Sequence, residues 1–261
     1  MRFLLVLLVI TGFTGWGITL DTPLDLARPA FAWSLLGVDL AIPGFLANPG
    51  ALPFRTSLDL TSTFSSLFGV VRIWAASLGA PGFCAEGILV DGGLIEPNLS
   101  YQVWAGRIGM GLALGDFGLG GQLRILRPAG PQALLGGALD LGIFWTGPVY
   151  VGIVAESLAS LSPYPGEKWP TDLSLALVWQ GDLQEFLGVV GVGFMDFLSL
   201  PTWVLAGALD FRGLELALGL REANLSFGGR VRASWFSVEW AFSLHPDLPL
   251  SFRVSFVLRW P

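Results

Sequence analysis

The sequence predicts an all-β protein, a single antiparallel transmembrane β-barrel of about 12 to 14 strands with an N-terminal lumen or plug segment. Composition gives the first indication, since hydrophobic residues make up 53% of 261 positions and charged residues only 13%. The second is that no clean apolar run of helix length follows the N-terminus. The third is a recurring alternation of apolar and polar residues, which is the pattern of a strand between two solvents.

Composition excludes an ordinary soluble globule, because so few polar residues cannot cover a protein of this size. The longest apolar candidates for a membrane helix, 134–155 and 186–207, contain acids, prolines and glycines and are rich in β-branched and aromatic residues. A closed barrel satisfies every backbone hydrogen bond within hydrocarbon without helices. A soluble β-sandwich with an unusually apolar surface is the alternative.

Residues 1–17 have the pattern of a secretory signal peptide. Arg2 gives a positive start, an apolar run covers 3–13, and small residues continue to Gly17. A retained membrane anchor is the alternative, although the run is short for a membrane span. We therefore expect an exported protein that reaches the outer membrane.

Residues 18–54 form the predicted N-terminal segment, and residues 55–261 form the predicted transmembrane barrel. From Thr19 to Phe54 the chain is rich in proline and lacks clean alternation. Such a segment fits a lumen plug or a surface segment better than a strand. Asn48 and Pro49 are the candidate gate or plug residues.

The strongest strand is the last one. Its apolar face carries Leu250, Phe252, Val254, Phe256, Leu258 and Trp260, and its other face carries Ser251, Arg253, Ser255, Val257 and Arg259. The segments 172–180, 214–221 and 237–245 repeat this pattern. An arginine facing hydrocarbon at mid-membrane costs about 2–4 kcal/mol, so we expect the charged face to line the lumen. The predicted lumen-facing residues are Asp172, Glu215, Arg221, Arg230, Arg232, Glu239, Arg253 and Arg259.

Further strand candidates bring the set to fifteen, of which we expect one to be broken or misread because closed bacterial barrels normally have an even strand number. These candidates are roughly 55–65, 68–77, 82–91, 98–106, 107–115, 117–127, 133–145, 148–157, 185–196, 202–211 and 224–235.

Turn residues separate many of these candidates. The predicted turns include Asp91-Gly92-Gly93, Gly181-Asp182, Arg212-Gly213, Glu222-Ala223-Asn224 and 245–249, and the proline-rich stretch 160–171 is a predicted exposed loop. Trp169, Trp203, Trp235 and Trp260 lie near predicted strand ends, as in the aromatic girdles of membrane barrels, although core packing explains any single tryptophan equally well.

Three C-terminal stretches carry a resemblance to a known family: a glycine-bearing strand at 225–232, an acidic-aromatic-Ala-Phe strand with an Asp-Leu turn at 238–248, and an Arg-x-Ser strand at 252–259. Together they resemble the ending of PorV/PorQ-type outer-membrane barrels, which belong to the wider group similar to the FadL fatty-acid transporters. Residues 169–177 and 48–52 are similar to the family's proline-led strand and its early Asn-Pro-Ala-Gly-Leu element. The match covers the last third of the chain best.

The resemblance implies a barrel of about fourteen strands whose N-terminal segment, with Asn48 and Pro49, folds into or against the lumen. Relatives either move hydrophobic molecules or act as partners in protein export. It therefore implies a conduit for small apolar solutes or, alternatively, a non-conducting structural or docking barrel of an export or envelope complex.

Catalytic chemistry is not expected. His245 is the single histidine and lies at a predicted turn, and Cys84 is the single cysteine, so a hydrolase triad, a multi-histidine metal site and a disulfide are not predicted. The glycine-rich stretches 106–121 and 188–193 lack the lysine of a phosphate-binding loop and fit close packing inside a barrel. We expect no enzyme activity, cofactor or nucleic-acid partner. The expected partners are a lipid bilayer and either apolar small molecules or envelope proteins.

Overall fold

The computed structural model describes residues 28–43, 45–96, 99–129, 134–164, 169–183, 186–199, 201–222, 224–245 and 247–260. The predicted signal peptide, residues 1–17, lies outside the described residues, as do residues 18–27 of the predicted N-terminal segment.

Fourteen antiparallel strands form one closed barrel, in which each strand pairs with its sequence neighbours and β14 pairs with β1. This confirms the predicted fold class and the upper end of the predicted strand number. The strands are β1 Leu58–Leu67, β2 Val71–Ala80, β3 Phe83–Glu96, β4 Leu99–Leu114, β5 Phe117–Pro128, β6 Gly136–Thr146, β7 Tyr150–Leu161, β8 Asp172–Leu183, β9 Phe186–Met195, β10 Thr202–Phe211, β11 Leu214–Arg221, β12 Asn224–Arg232, β13 Phe236–Leu244 and β14 Ser251–Trp260.

The fifteenth strand candidate arises from β4. The candidates 98–106 and 107–115 are one strand, Leu99–Leu114, whose register with β3 runs without a break from Met110 to Gln102. The sequence pattern changes near Gly106 because the inner face passes from aliphatic residues to Arg107 and glycines. The change in polarity therefore marks a change in the lumen lining, not a strand end.

Of the five predicted turns, two lie inside strands and are wrong, and the other three fall in connections between strands, with Ala223 and Pro246 outside the described residues. Asp91-Gly92-Gly93 lies within β3 as a β-bulge, where the register with β4 shifts and Gly93 N–H donates to Asp91 Oδ1 at 2.9 Å. Gly181-Asp182 lies within β8. Arg212-Gly213 is a turn between β10 and β11, and both residues have positive φ, at 57° and 103°.

The barrel wall has an apolar outer face and a polar or small-residue inner face. On β11, Leu216 and Leu218 are 45% and 56% exposed, whereas Glu215 and Ala217 are each 6% exposed. The outer face of β4–β6 consists almost entirely of large exposed apolar side chains, such as Met110 and Leu123. A face of this kind is stable against lipid and unfavourable against water.

The two ends of the barrel differ in their connections. At one end β1 begins, β14 ends, and the strands are joined by residues 81–82, 115–116, 147–149, 184–185, 212–213 and 233–235. We name this the short-turn end. At the opposite end, the long-loop end, lie the long connections 129–135, 162–171, 196–201 and 245–250 and three short ones, between β1 and β2, between β3 and β4, and between β11 and β12.

The described part of the N-terminal segment runs through the lumen. Helix α1, Ala30–Ser34, contacts β11–β14; the 3-10 helix η1, Val38–Ala41, contacts β7–β10; and the 3-10 helix η2, Pro49–Phe54, contacts β3–β7. The segment therefore touches most of the inner wall in turn. In the described part of the chain, no helix has both the length and the apolar character that crossing a membrane requires.

Candidate functional site in the lumen

Helix η2 rests on glycines of the inner wall. A methyl group added at Gly111, Gly118, Gly120 or Gly142 would overlap atoms of Asn48, Pro49 or Gly50. These glycines lie on β4, β5 and β6 at the short-turn end, and they allow the backbone of the segment to approach the backbone of the wall directly. The glycine-rich stretch 106–121 thus packs against the segment, as small residues inside a barrel are expected to do.

Asn48 joins the segment to the wall. Its side chain is fully buried, and Nδ2 donates to Leu40 O at 3.0 Å and to Ile143 O of β6 at 2.9 Å. Its Oδ1 accepts from Gly50 N–H at 2.9 Å, which starts η2. Pro49 is buried next to it, against Gly142. The structure therefore places both predicted gate or plug residues inside the lumen.

Helix α1 lies against β12–β14 and is held by polar contacts. Ala30 N–H donates to Ser255 Oγ at 2.9 Å, and Phe31 N–H donates to Glu239 Oε2 at 3.1 Å. These are two of the amide groups that a helix N-terminus leaves without a partner in the helix. Ser226 Oγ donates to Ser34 O at 2.7 Å at the other end of α1.

Two arginines of the wall complete this attachment. The Arg230 guanidinium lies 4.3 Å from the ring centroid of Phe31, and that of Arg253 lies 4.4 Å from the Trp33 ring centroid. Arg253 is fully buried, and its Nη1 donates to Arg28 O at 2.6 Å. Cation–π contacts that are shielded from water are worth about 2 kcal/mol.

Acids and arginines form a row across β10–β14 and β1 at the short-turn end of this wall. Arg259 Nε donates to Asp59 Oδ1 at 3.2 Å, and Arg230 Nη2 donates to Glu215 Oε2 at 2.5 Å. Arg232 pairs with Glu215 and, at 2.9 Å, with Asp210. The predicted lumen-facing residues Glu215, Arg230, Arg232, Glu239 and Arg259 thus lie together, and Arg253 lies further along β14.

The other two predicted lumen residues lie apart from this group, at the long-loop end. The Asp172 carboxylate is buried and accepts from Leu198 N–H at 2.9 Å and from the Ser199 hydroxyl. Arg221 Nη2 pairs with Asp196 Oδ2 at 2.8 Å, and both side chains are about one third exposed. These contacts hold the connection 196–201 and do not reach the segment.

Two buried charge pairs on β3–β6 were not among the predicted site residues. Arg107 pairs with Glu86 at 2.6 Å, and Arg124 Nη2 donates to Asp140 Oδ1 at 2.5 Å. Asp140 also accepts from the backbone N–H of Ser157, a residue with positive φ in β7, and so fixes a bulge there. The sequence signal for these pairs was a charged residue on the inner face of each strand. It was missed because apolar and polar residues alternate less regularly in these strands.

A cavity of about 430 Å³ lies between the segment and the row of acids and arginines at the short-turn end. Its apolar lining comes mainly from the segment, through Phe31, Leu35, Ile42, Phe45, Leu46 and Phe54. Its polar lining includes Arg55, which lies between η2 and β1, and the wall residues Asp59, Asp210, Glu215, Arg230, Arg232, Glu239 and Arg259. A concave, partly apolar space of this size with convergent polar groups is typical of a small-molecule site.

Apolar clusters lie on the long-loop side of this cavity. On β8–β11 one cluster includes Val178, Val204 and Ala217, packed against η1 and α1. On β1–β6 a second cluster includes Ile73 and Val103 and is joined by Trp169. Trp169 is buried, so the girdle interpretation is wrong for it, whereas Trp203, Trp235 and Trp260 are exposed.

Comparison with models of known protein families gives no match, and none of the curated proteins matches. Among solved structures, the chain is similar to the outer membrane protein Omp33 of Acinetobacter baumannii, with a TM-score of 0.53 and 7% identity over 78% of this chain and 98% of that chain. A triple mutant of the Rhodopseudomonas blastica porin is similar at a TM-score of 0.45 and 9% identity, over 78% of this chain and 99% of that chain. The likeness to Omp33 shows the fold, which is that of an outer-membrane β-barrel. This fold and the apolar outer face of the wall support the predicted location in the outer membrane and embedding in a lipid bilayer. Membership of the PorV/PorQ-type family stays a prediction.

Proposed function

We propose that the protein is a gated conduit for small apolar solutes in the outer membrane, with residues 28–54 as the plug that closes its lumen. The observation that carries this proposal is the cavity, which lies inside the lumen and takes its apolar lining from the plug itself. A solute bound there touches both the wall and the segment that would have to move. No catalytic step is part of this function.

The contacts of the segment indicate which part of it moves. Residues 48–54 lie on four glycines of β4–β6 without room for displacement. Helix α1 meets wall glycines at Ser34, over Gly219 and Gly228, and is otherwise held by hydrogen bonds and ring contacts. The link between them contains Leu36 and Gly37, both with positive φ. We therefore place the gate at α1 and the fixed anchor at η2.

A reversible crosslink of α1 to the wall tests this function. Ala30→Cys with Ser255→Cys introduces cysteines at two residues in direct contact, since Ala30 N–H donates to Ser255 Oγ at 2.9 Å. Uptake of the apolar dye N-phenylnaphthylamine is then measured in cells that express the barrel, after oxidation and again after reduction. We expect uptake to stop on oxidation and to return on reduction. The variants that carry only Ala30→Cys or only Ser255→Cys should respond to neither treatment.

Two results would contradict this proposal. Equal dye uptake in the crosslinked and reduced forms would remove α1 as the gate. If neither form takes up more dye than cells without the barrel, the protein is not a conduit for this dye.

The second candidate function is a non-conducting structural or docking barrel. Large apolar side chains at the long-loop end favour it, since Phe197 and Leu198 are 59% and 62% exposed in one connection and Leu134 and Leu135 are 59% and 58% exposed in another. A barrel that transmits no dye and is retained by an envelope protein only while Phe197 and Leu198 are intact would support this function.

A further inference from the structure

The residues that line the cavity lie near one end of the barrel. Every wall residue of its charged lining lies near the short-turn end: Asp59 begins β1, Arg259 ends β14, and Asp210 and Glu215 flank the turn between β10 and β11. Arg232 and Arg259 keep 33% and 29% of their side-chain surface exposed. Water therefore reaches the cavity from the short-turn end.

The way to the other end is filled. Along β8, β10 and β11, the buried Val178, Val204 and Ala217 follow the cavity residues towards the long-loop end, and they pack against η1 and α1. Along β14, Arg253 follows Val257 and lies under Trp33. No strand of this wall continues the cavity lining beyond these contacts within the described residues.

The direction follows from a general property of bacterial barrels. They have short turns on the periplasmic side and longer loops on the extracellular side. The short-turn end of this barrel therefore faces the periplasm, and the cavity is reached from inside the cell envelope.

The lining also restricts the ligand. Four arginines and four acids balance each other around the cavity, and each acid already contacts an arginine or the segment. A head group with one net charge would leave that charge without a counterpart in a partly buried site, which is unfavourable. A head group that carries both signs can contact Arg232 or Arg259 with its anion and Asp210 with its cation, while a short chain lies against Phe31, Phe45 and Leu46.

We infer that this cavity binds a zwitterionic amphiphile that enters from the periplasm. This inference deepens the proposed function and rests on its plugged lumen. The inference does not require transport. A barrel that binds the amphiphile without conducting solutes would contradict the proposed conduit function but not the binding site.

The side of access is tested by cysteine labelling of the full chain. Thr56 is exposed and lines the cavity, Ala129 is exposed at the long-loop end, and the native Cys84 is fully buried, so the unchanged chain serves as the blank. A membrane-impermeant maleimide added to intact cells is expected to label Ala129→Cys and not Thr56→Cys. Labelling of Thr56→Cys is expected once the outer membrane is permeabilised; labelling in intact cells would overturn the periplasmic entry.

The ligand class is tested by protection of Thr56→Cys in lipid nanodiscs. Dodecylphosphocholine is compared with dodecanoate, dodecyltrimethylammonium and dodecyl maltoside, which keep the chain and change only the head group. We expect dodecylphosphocholine to protect at the lowest concentration. Equal or better protection by any of the other three would overturn the zwitterionic assignment.

A comparison of two separate arginine substitutions provides the control for specific binding. Arg232→Gln is expected to raise the protecting concentration of dodecylphosphocholine about tenfold, because a hydrogen bond to a charged group is lost. Arg212→Gln, an exposed turn residue at the same end outside the cavity lining, is expected to leave it unchanged. The same shift in both variants would overturn the site.

Discussion

The two ends of the lumen segment are attached to the barrel by different physical means. Residues 48–54 meet β4–β6 through backbone contacts over glycines and through the Asn48 amide. Residues 28–35 meet β11–β14 mainly through helix N–H groups and cation–π contacts, with one close contact of Ser34 over Gly219 and Gly228. The first attachment is mainly steric, over four glycines, and the second is mainly polar.

This difference indicates which interactions suit an anchor and which suit a gate. A close backbone contact has no alternative arrangement of similar energy, because interiors are packed at crystal-like density. Hydrogen bonds to the wall can be exchanged for hydration once the helix has left the wall, at a net cost of only about 0.5–1.5 kcal/mol for each bond. The following substitutions test whether the anchor is stronger than the gate.

Asn48→Asp is expected to have the largest effect. The substitution keeps the side-chain size but removes both donors and places a carboxylate against Leu40 O and Ile143 O, and an uncompensated buried charge costs about 3–5 kcal/mol. Trypsin cleavage at Arg55 should become faster, because η2 leaves the wall. Asn224→Asp, half-buried at the start of β12, is the control, and equal cleavage in the two variants would contradict the anchor.

Gly120→Ala is expected to rank second. Its methyl group would overlap Pro49 O, whereas that of Gly121→Ala, on the outer face, would lie 3.4 Å from Leu141. Overpacking costs about 1–3 kcal/mol, so the temperature at which the folded band is lost on detergent gels should fall for Gly120→Ala only. Similar loss temperatures for both variants would mean that the segment does not rest on this wall.

The barrel and its polar face could be predicted from sequence because both depend on local alternation. Glu215, Arg230, Glu239 and Arg253 follow from the strand period alone, since each is charged between outward apolar neighbours. β4 was split because alternation reports the polarity of a face, and that polarity changes at Arg107 within an unbroken strand. The strand period therefore predicts faces better than strand ends.

The cavity could not be predicted, because it depends on contacts between residues far apart in the chain. Phe31 approaches Arg230 and Glu239 only when the segment has entered the closed barrel. Buried pairs such as Arg124 with Asp140 likewise require the register of two strands. The glycines of β4–β6 were visible in the sequence, but their partner, the backbone of residues 48–50, was not.

Glu239→Gln is expected to weaken the gate by about 1.5 kcal/mol, because the acceptor of the Phe31 N–H becomes neutral and the ion pair with Arg230 at 3.5 Å is lost. Glutamine still accepts from Phe31 N–H, while Arg230 keeps Glu215 as its partner. Dye uptake should therefore rise, with cleavage at Arg55 unchanged. Faster cleavage at Arg55 would show that the two attachments are not independent.

Ser255→Ala is expected to have the smallest effect, about 1 kcal/mol, since it removes one neutral hydrogen bond from Ala30 N–H and one to Thr63. Dye uptake should rise less than in Glu239→Gln, and Thr63→Ala, which leaves the Ala30 contact intact, should raise it less still. A larger rise in Thr63→Ala than in Ser255→Ala would mean that this hydroxyl pair holds β1 to β14 rather than holding α1 to the wall.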